Sequence, residues 1–241
     1  MKRELSAANK LWVAGALAAL ILIIDQASKI WIKLHFCIGE EIEVFSWFRI
    51  HFLENEGMAF GFSLGKDGGK LLLSVLRILA IGALSWYTVR LVRLGHKLSY
   101  ILPFALILAG AVGNMIDCAF YGLLFSDSWF APAKFMPEGG GYAPFLYGRV
   151  VDMLYFPIIE STYPQWMPFV GGQELVFFRP VFNVADSAIT VGFIWFLVMQ
   201  LPGTQPALAA APITPEATAE TTAAAEAPAT TEPSANDRTD A

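Results

Sequence analysis

Two aspartates, Asp152 and Asp186, are the residues of this sequence best placed to do chemistry. Asp186 opens the last long apolar stretch of the chain, and Asp152 lies in the connection that precedes this stretch. Two carboxylates that converge at a boundary between a dry and a wet environment repel each other, so one of them keeps its proton and the pair shares it. Such a pair can activate a water molecule and protonate a carbonyl oxygen. If the two side chains converge in the fold, the sequence predicts an aspartyl hydrolase.

Four more polar side chains lie inside apolar stretches, where charged and amide groups are costly. Asp25 and Lys29 are four residues apart and can neutralise each other on one helix face, which favours a structural role. Asn114 and Asp117 are three residues apart; they could bridge helices, or they could belong to the reactive layer. If these stretches are helices that cross a membrane, all four groups lie at the depth of Asp186.

The composition indicates a membrane protein. The 241 residues are 56% hydrophobic and 15% charged, and the mean hydropathy is +0.53, whereas soluble domains carry about 25% charged residues. Crossing a hydrocarbon core of about 30 Å takes roughly 20 helical residues. Four stretches meet this requirement: residues 11–32, 71–92, 100–123 and 181–201. We therefore predict a membrane all-α fold with four transmembrane helices in residues 1–201.

The distribution of charge predicts the orientation of this bundle. Basic residues concentrate before the first span and between the second and third: Lys2, Arg3, Lys10, Arg90, Arg93 and Lys97. Short connections rich in lysine and arginine stay in the cytoplasm. We therefore expect both termini in the cytoplasm, and we expect the long connections 34–70 and 124–180 to face outward.

Residues 202–241 form a compositionally separate tail. They are rich in Ala, Thr, Pro and Glu, and they hold six acidic residues against one arginine, which accounts for the net charge of −5. Such a segment has too few large apolar groups to offset the entropy of ordering. We predict a disordered, acidic, cytoplasmic tail. Because the pI is 5.2 and residues 1–201 carry no net charge, we expect no nucleic-acid partner.

The two outer connections have different patterns. Glu41–Phe45 and Phe48–Phe52 alternate apolar and polar residues with a period of two, which predicts a small β-sheet on the membrane surface. The second connection carries Gly139-Gly140-Gly141 and several prolines and aromatic residues, which predicts an irregular loop.

Metal and disulfide sites have little support in the sequence. His35, His51 and His96 fit no zinc-binding spacing. Cys37 and Cys118 could form a disulfide if both lie near the outer face, but two cysteines make no disulfide framework and two free thiols are the preferred interpretation. We expect no metal and no cofactor.

Five short motifs occur in order along the chain: Asp25-Gln26-Ala27-Ser28-Lys29, Asn55-Glu56-Gly57-Met58-Ala59-Phe60, Gly110-Ala111-Val112-Gly113-Asn114-Met115-Ile116-Asp117, Val150-Val151-Asp152 and Phe182-Asn183-Val184-Ala185-Asp186-Ser187. Together they closely resemble bacterial lipoprotein signal peptidase, signal peptidase II, over residues 10–201. The resemblance implies a four-helix aspartyl endopeptidase of the bacterial inner membrane, with its active site near the periplasmic face. It would cut prolipoproteins just before a cysteine that carries a diacylglyceryl group. The implied partners are these substrates and membrane phospholipid, and the chain would act as a monomer.

The resemblance also implies roles for individual residues. The catalytic pair would be Asp152 and Asp186. Positions that shape the site or hold the substrate are matched by a second group: Asn55, Gly57, Gly113, Asn114 and Asn183. Positions tied mainly to the integrity of the fold are matched by a third group: Asp25, Lys29 and Asp117.

One departure concerns the third motif, where the family usually has an arginine directly after the aspartate and this chain has Cys118. Arg77, in the second span, lies at a similar depth. Its guanidinium either reaches outward to phosphate headgroups or faces the bundle and supplies the missing cation to Asp117 or to a substrate carbonyl. The sequence leaves both interpretations open.

A non-enzymatic membrane protein is the competing class, because buried carboxylates can also carry protons, ions or a lipid headgroup. A carrier places such groups near the midplane or spreads them through the depth of the membrane. Here they collect on one side, so we expect an enzyme.

Overall fold

The computed structural model describes residues 5–56, 68–157, 159–162, 164–169, 171–177 and 180–201. Gly57 and the tail lie outside the described residues, so the predictions made for them remain predictions. The described helices are α1 Ala7–His35, α2 Gly68–Arg93, α3 Leu98–Ile116, α4 Gly122–Leu124 and α5 Val184–Gln200. A π-helical turn, Asp117–Tyr121, joins α3 to α4.

Three helices among the described residues are long and apolar enough to cross a membrane: Ala7–His35, Gly69–Arg93 and Leu98–Leu124. They expose large apolar side chains such as Trp12 and Leu79, as a lipid-facing surface requires. α5 is equally apolar but has 17 residues, fewer than the roughly 20 that a perpendicular span needs. The prediction of membrane helices is confirmed, and the count of four spans stays a prediction.

The helices pack closely where small residues face each other. At Gly110 of α3, a Cβ atom would lie 2.2 Å from the carbonyl oxygen of Ala185 in α5, so only glycine permits this approach. At the other end of the bundle, Lys10 Nζ donates to the carbonyl oxygens of Gly95 and His96, at 3.2 and 2.8 Å. The start of α1 and the α2–α3 connection therefore lie at the same end.

A four-stranded antiparallel sheet covers the His35 end of α1. Its strands are β1 Glu41–Phe45, β2 Phe48–Asn55, β3 Val150–Tyr155 and β6 Val181–Phe182, in the order β1-β2-β3-β6. The first two strands confirm the prediction from the alternating pattern of the first outer connection. Large apolar side chains lie between the sheet and the helices, including Ile32, Phe52 and Val151.

The second outer connection is more ordered than predicted. It supplies β3 and β6, and a separate hairpin of β4 Ile159–Thr162 with β5 Glu174–Phe177. The prediction of an irregular loop was therefore wrong for these segments. β3 is buried at nearly every position, so it has no alternating pattern that sequence reading could detect.

Candidate active site

A buried ionic cluster lies where α1, α3 and α5 meet. Lys29 Nζ is 2.9 Å from Asp25 Oδ2 and 2.8 Å from Asp117 Oδ2, and all three side chains are inaccessible or nearly so. Asp25 Oδ1 also accepts a hydrogen bond of 2.9 Å from the backbone N–H of Ala185 at the start of α5. One ammonium therefore compensates one carboxylate charge, bridges both side chains and fixes three helices, as a structural role for these residues requires.

Gln26 completes this cluster, although sequence reading gave it no role. Its Nε2 atom donates to Asp25 Oδ2 at 3.1 Å and to Asp117 Oδ1 at 3.0 Å. Its Oε1 atom accepts from the Tyr121 hydroxyl at 3.1 Å. The signal for Gln26 was present in the sequence, because an amide inside an apolar span needs internal partners.

Asp152 and Asp186 converge on Asn183. Asn183 Nδ2 donates to Asp152 Oδ1 at 2.8 Å, and Asn183 Oδ1 accepts from the backbone N–H of Asp186 at 2.9 Å. Asp186 Oδ2 in turn accepts from the backbone N–H of Asn183 at 3.4 Å, which completes a capping box at the start of α5. The capping box at the start of α5 thus holds Asp186, and the side-chain amide of Asn183 reaches Asp152 on strand β3.

Asn114 links this pair of aspartates to the ionic cluster. Its Nδ2 atom donates to Asp186 Oδ1 at 2.7 Å, and its Oδ1 atom accepts from Lys29 Nζ at 2.9 Å. The side-chain amide of Asn114 therefore fixes the Asp186 carboxylate relative to Lys29, and it adds no charge beside that carboxylate. The amide nitrogens of Asn114 and Asn183 already donate to aspartates, so both residues position the carboxylates directly.

The environment of Asp152 favours its protonated form. Burial raises the pKa of Asp152 from 3.8 to about 7, and the negative charge of Asp186 acts in the same direction. Hydrogen bonds from Asn183 and Asn55 to the Asp152 carboxylate oppose this rise. Near neutral pH Asp152 can therefore hold a proton beside Asp186.

Arg149 does not neutralise Asp152, although it lies only three residues earlier. Its Nη1 atom is 2.7 Å from Glu54 Oε2, and its Nη2 atom is 3.3 Å from Asp127 Oδ2. Glu54 also pairs with Lys33 at the end of α1. This second ionic cluster attaches the outer connection to α1 and β2, and it engages Arg149 away from Asp152.

Two more of the predicted site residues, Asn55 and Gly113, lie in the described part of the chain. Asn55 ends β2 and is paired in register with Val150 of β3. Gly113 faces α1, where a Cβ atom would lie 2.7 Å from Asp25 Oδ2, so packing alone accounts for this glycine.

Arg77 faces the bundle. Its Nη1 atom donates to the Sγ atom of Cys118 at 3.0 Å. The guanidinium thus lies beside the position that follows Asp117. Cys37 and Cys118 are both free thiols, as preferred from the sequence.

The described residues contain no group of three or more His, Cys, Asp or Glu side chains arranged to hold a metal ion. The aspartate pair needs none, because a shared proton and a carboxylate base suffice to activate water.

Comparisons with known proteins agree with this geometry. The model of the signal peptidase (SPase) II family matches residues 17–201. Lipoprotein signal peptidase from Porphyromonas gingivalis strain W83 is 50% identical over 187 residues, which cover 77% of this chain and 81% of that protein. The enzyme of the same name from Amoebophilus asiaticus is 34% identical over 188 residues, which cover 76% and 75%.

The fold also has a counterpart among solved structures. A bacterial membrane enzyme determined by the in meso method at 1.9 Å resolution matches with a TM-score of 0.53 and 23% sequence identity. The match covers 80% of this chain and 96% of that chain.

Proposed function

The chain belongs to the signal peptidase II family of aspartic-type peptidases, and on that premise we propose that Asp152 and Asp186 are its catalytic pair. The observation that carries this proposal is the bridge through Asn183, which brings two carboxylates together; among the described residues their side-chain partners are amides, and neither forms a salt bridge. The substrate is a prolipoprotein whose signal peptide ends just before a diacylglyceryl-modified cysteine.

The two aspartates have different roles in the first step. Asp186 lies in the first turn of α5, where the helix dipole favours negative charge, and it removes a proton from the attacking water. Asp152, protonated at neutral pH, hydrogen-bonds the carbonyl oxygen of the scissile peptide and gives it a proton as the water oxygen bonds to carbon. When the carbon–nitrogen bond breaks, the proton on Asp186 passes to the leaving amine and Asp152 regains its proton from the diol hydroxyl.

Arg77 supplies the positive charge that the third motif lacks. Its contact with Cys118 brings the guanidinium to the α2 side of the π-helical turn that contains Asp117. A guanidinium offers five donors, so Arg77 can bond the Cys118 sulfur and still donate to a substrate carbonyl.

The active site faces the periplasm and both termini lie in the cytoplasm. The contact of Lys10 with the α2–α3 connection supports this orientation, because it gathers the basic residues at one end of the bundle. In a background without native cysteines, a cysteine introduced at Glu138 should react with an impermeant thiol reagent in intact cells, and one at Gly95 should not. The reverse labelling pattern would overturn the orientation.

A cleavage assay on a diacylglyceryl-modified prolipoprotein tests the catalytic pair. Asp152→Asn and Asp186→Asn keep the shape of each side chain but remove its proton chemistry, so each should lower kcat by about a thousandfold or more. Asp127→Asn is the matched control, because Asp127 is an exposed aspartate of the outer connection. Cleavage by either purified, folded variant at a rate near that of the wild type would contradict the assignment.

A further inference from the structure

A small polar cavity lies between the start of α2 and the loop that leads into β3. Its volume is about 240 Å³, and its polar lining residues are Glu56, Lys70, Tyr142, Tyr147 and Arg149. None of the aspartates and asparagines around the catalytic pair lines it. The cavity therefore lies beside the residues around the catalytic pair, on the α2 side of the same end of the bundle.

Lys70 contributes a cation to the lining of this cavity. The side chain is 93% buried, and within the described part of the chain its ammonium makes neither a hydrogen bond nor an ion pair. Arg149, the other cation of the lining, is already paired with Glu54 and Asp127 and lies 4.6 Å from the ring centroid of Tyr142. Lys70 loses most of its solvent exposure at this position, so an anion bound in the cavity would offset the cost of desolvating its charge. The start of α2 favours an anion at the same place, because its first turn contains no acidic residue.

The cavity also contains a carboxylate, which restricts the anion that can bind. Glu56 is exposed, and its charge acts on Lys70 from beyond ion-pair distance. A simple anion would be repelled by Glu56, whereas a headgroup with both a phosphate and a primary amine would pair with Lys70 and Glu56 together.

The surroundings of the cavity are those of an amphiphile-binding site. Phe145 lies in the same loop and is 52% exposed, and its ring is 5.7 Å from that of Phe120, which is also exposed. Leu71 and Leu72 of α2 expose further apolar surface next to Lys70. A polar cavity that adjoins exposed apolar side chains at a membrane surface fits a headgroup with its acyl chains alongside.

We propose that this cavity binds the headgroup of an amine-bearing phospholipid of the phosphatidylethanolamine class, with the phosphate on Lys70 and the amine on Glu56. The proposal rests on the membrane placement described above and is independent of the catalytic pair. The bound lipid holds the 142–149 loop against α2, where Ser74 Oγ already donates to the Leu146 carbonyl oxygen at 3.1 Å.

Native mass spectrometry of the full chain in detergent, delipidated and then titrated with single lipids, tests the proposal. The wild type should bind one phosphatidylethanolamine about tenfold more tightly than phosphatidylcholine or phosphatidylglycerol, since only the first offers both a phosphate and a primary amine. Lys70→Gln should weaken phosphatidylethanolamine binding about tenfold, and Lys70→Arg should retain it. Glu56→Gln should abolish the preference among the three lipids.

Lys97→Gln is the matched control, because this exposed lysine lies at the opposite end of the bundle. Asp152→Asn should bind the lipid normally, which separates a failure of this proposal from a failure of the catalytic assignment. Three results would overturn the proposal: unchanged lipid binding by folded Lys70→Gln, inorganic phosphate that binds as tightly as the lipid, or displacement of the lipid by the diacylglyceryl-modified substrate. The last two would assign the cavity to a free anion or to the substrate.

Discussion

The layer at the His35 end of the bundle contains two pairs of carboxylates with opposite surroundings. Asp25 and Asp117 share the ammonium of Lys29 at 2.9 and 2.8 Å, so part of their charge is compensated and their positions are fixed. Asp152 and Asp186 are held by the neutral amides of Asn183 and Asn114, so their mutual repulsion persists. The first pair can stabilise the fold, whereas the second contains a carboxylate, Asp152, whose pKa is raised to about 7.

The largest effect on stability should come from removing the cation of the compensated pair. Lys29→Met leaves two buried carboxylates without a counter-ion, and we expect the free energy of unfolding to fall by about 3–5 kcal/mol. Thermal unfolding in detergent measures this change, with Lys97→Met as the control for loss of a lysine. Adding Asp117→Asn to Lys29→Met should recover part of the stability, and a Lys29→Met protein as stable as the wild type would show that the cluster is not compensated as described.

The pair of Asp152 and Asp186 should make the enzyme's activity depend on pH. Because the raised pKa of Asp152 is about 7, its proton is present below that pH and lost above it, and kcat/KM should fall about tenfold for each pH unit above about 7. Asn183→Ser keeps a helix cap but removes the amide that donates to Asp152. Since that hydrogen bond lowers the pKa, the decline should move to higher pH in Asn183→Ser. A decline at the same pH in both proteins would assign the titrating proton to another group.

Replacing Arg77 should have a smaller effect. This replacement tests whether Arg77 adds a functional charge to the layer at the His35 end of the bundle. Arg77→Gln should raise KM about tenfold, because it removes one charged hydrogen bond to the substrate carbonyl. The unfolding temperature should change little. Arg90→Gln at the opposite end of α2 is the matched control. Wild-type kinetics for Arg77→Gln, together with no rescue of other Arg77 variants by Cys118→Arg, would show that the guanidinium only packs against Cys118.

The smallest effect is expected from the tail, which carries none of the groups compared here. Truncation after Gly203 should leave cleavage in detergent within about twofold of the full chain, because a segment this poor in large apolar residues gains little by packing. The full-length chain, purified in parallel, is the control. A large loss of turnover in a soluble, folded truncated protein would show that the tail reaches the catalytic region.

The sequence was sufficient for features that depend on local pattern. Apolar length predicted the membrane helices, the period of two in residues 41–52 predicted β1 and β2, and the spacing of Asp25 and Lys29 predicted their ion pair. Each of these follows from contacts between residues close in the chain, or from the solvent that a continuous segment requires.

The tertiary structure decided which charges remain uncompensated. No spacing indicates that Lys29 also pairs with Asp117, or that Arg149 binds Glu54 and Asp127 in preference to Asp152. Strand β3 was not predicted from the sequence for a related reason. A strand buried on both faces has no alternating pattern, and its register is set only by the neighbouring strands. The residue types of the site could be read from the sequence, but the protonation state that makes them reactive depends on burial and on the distances between charges, which only the folded chain fixes.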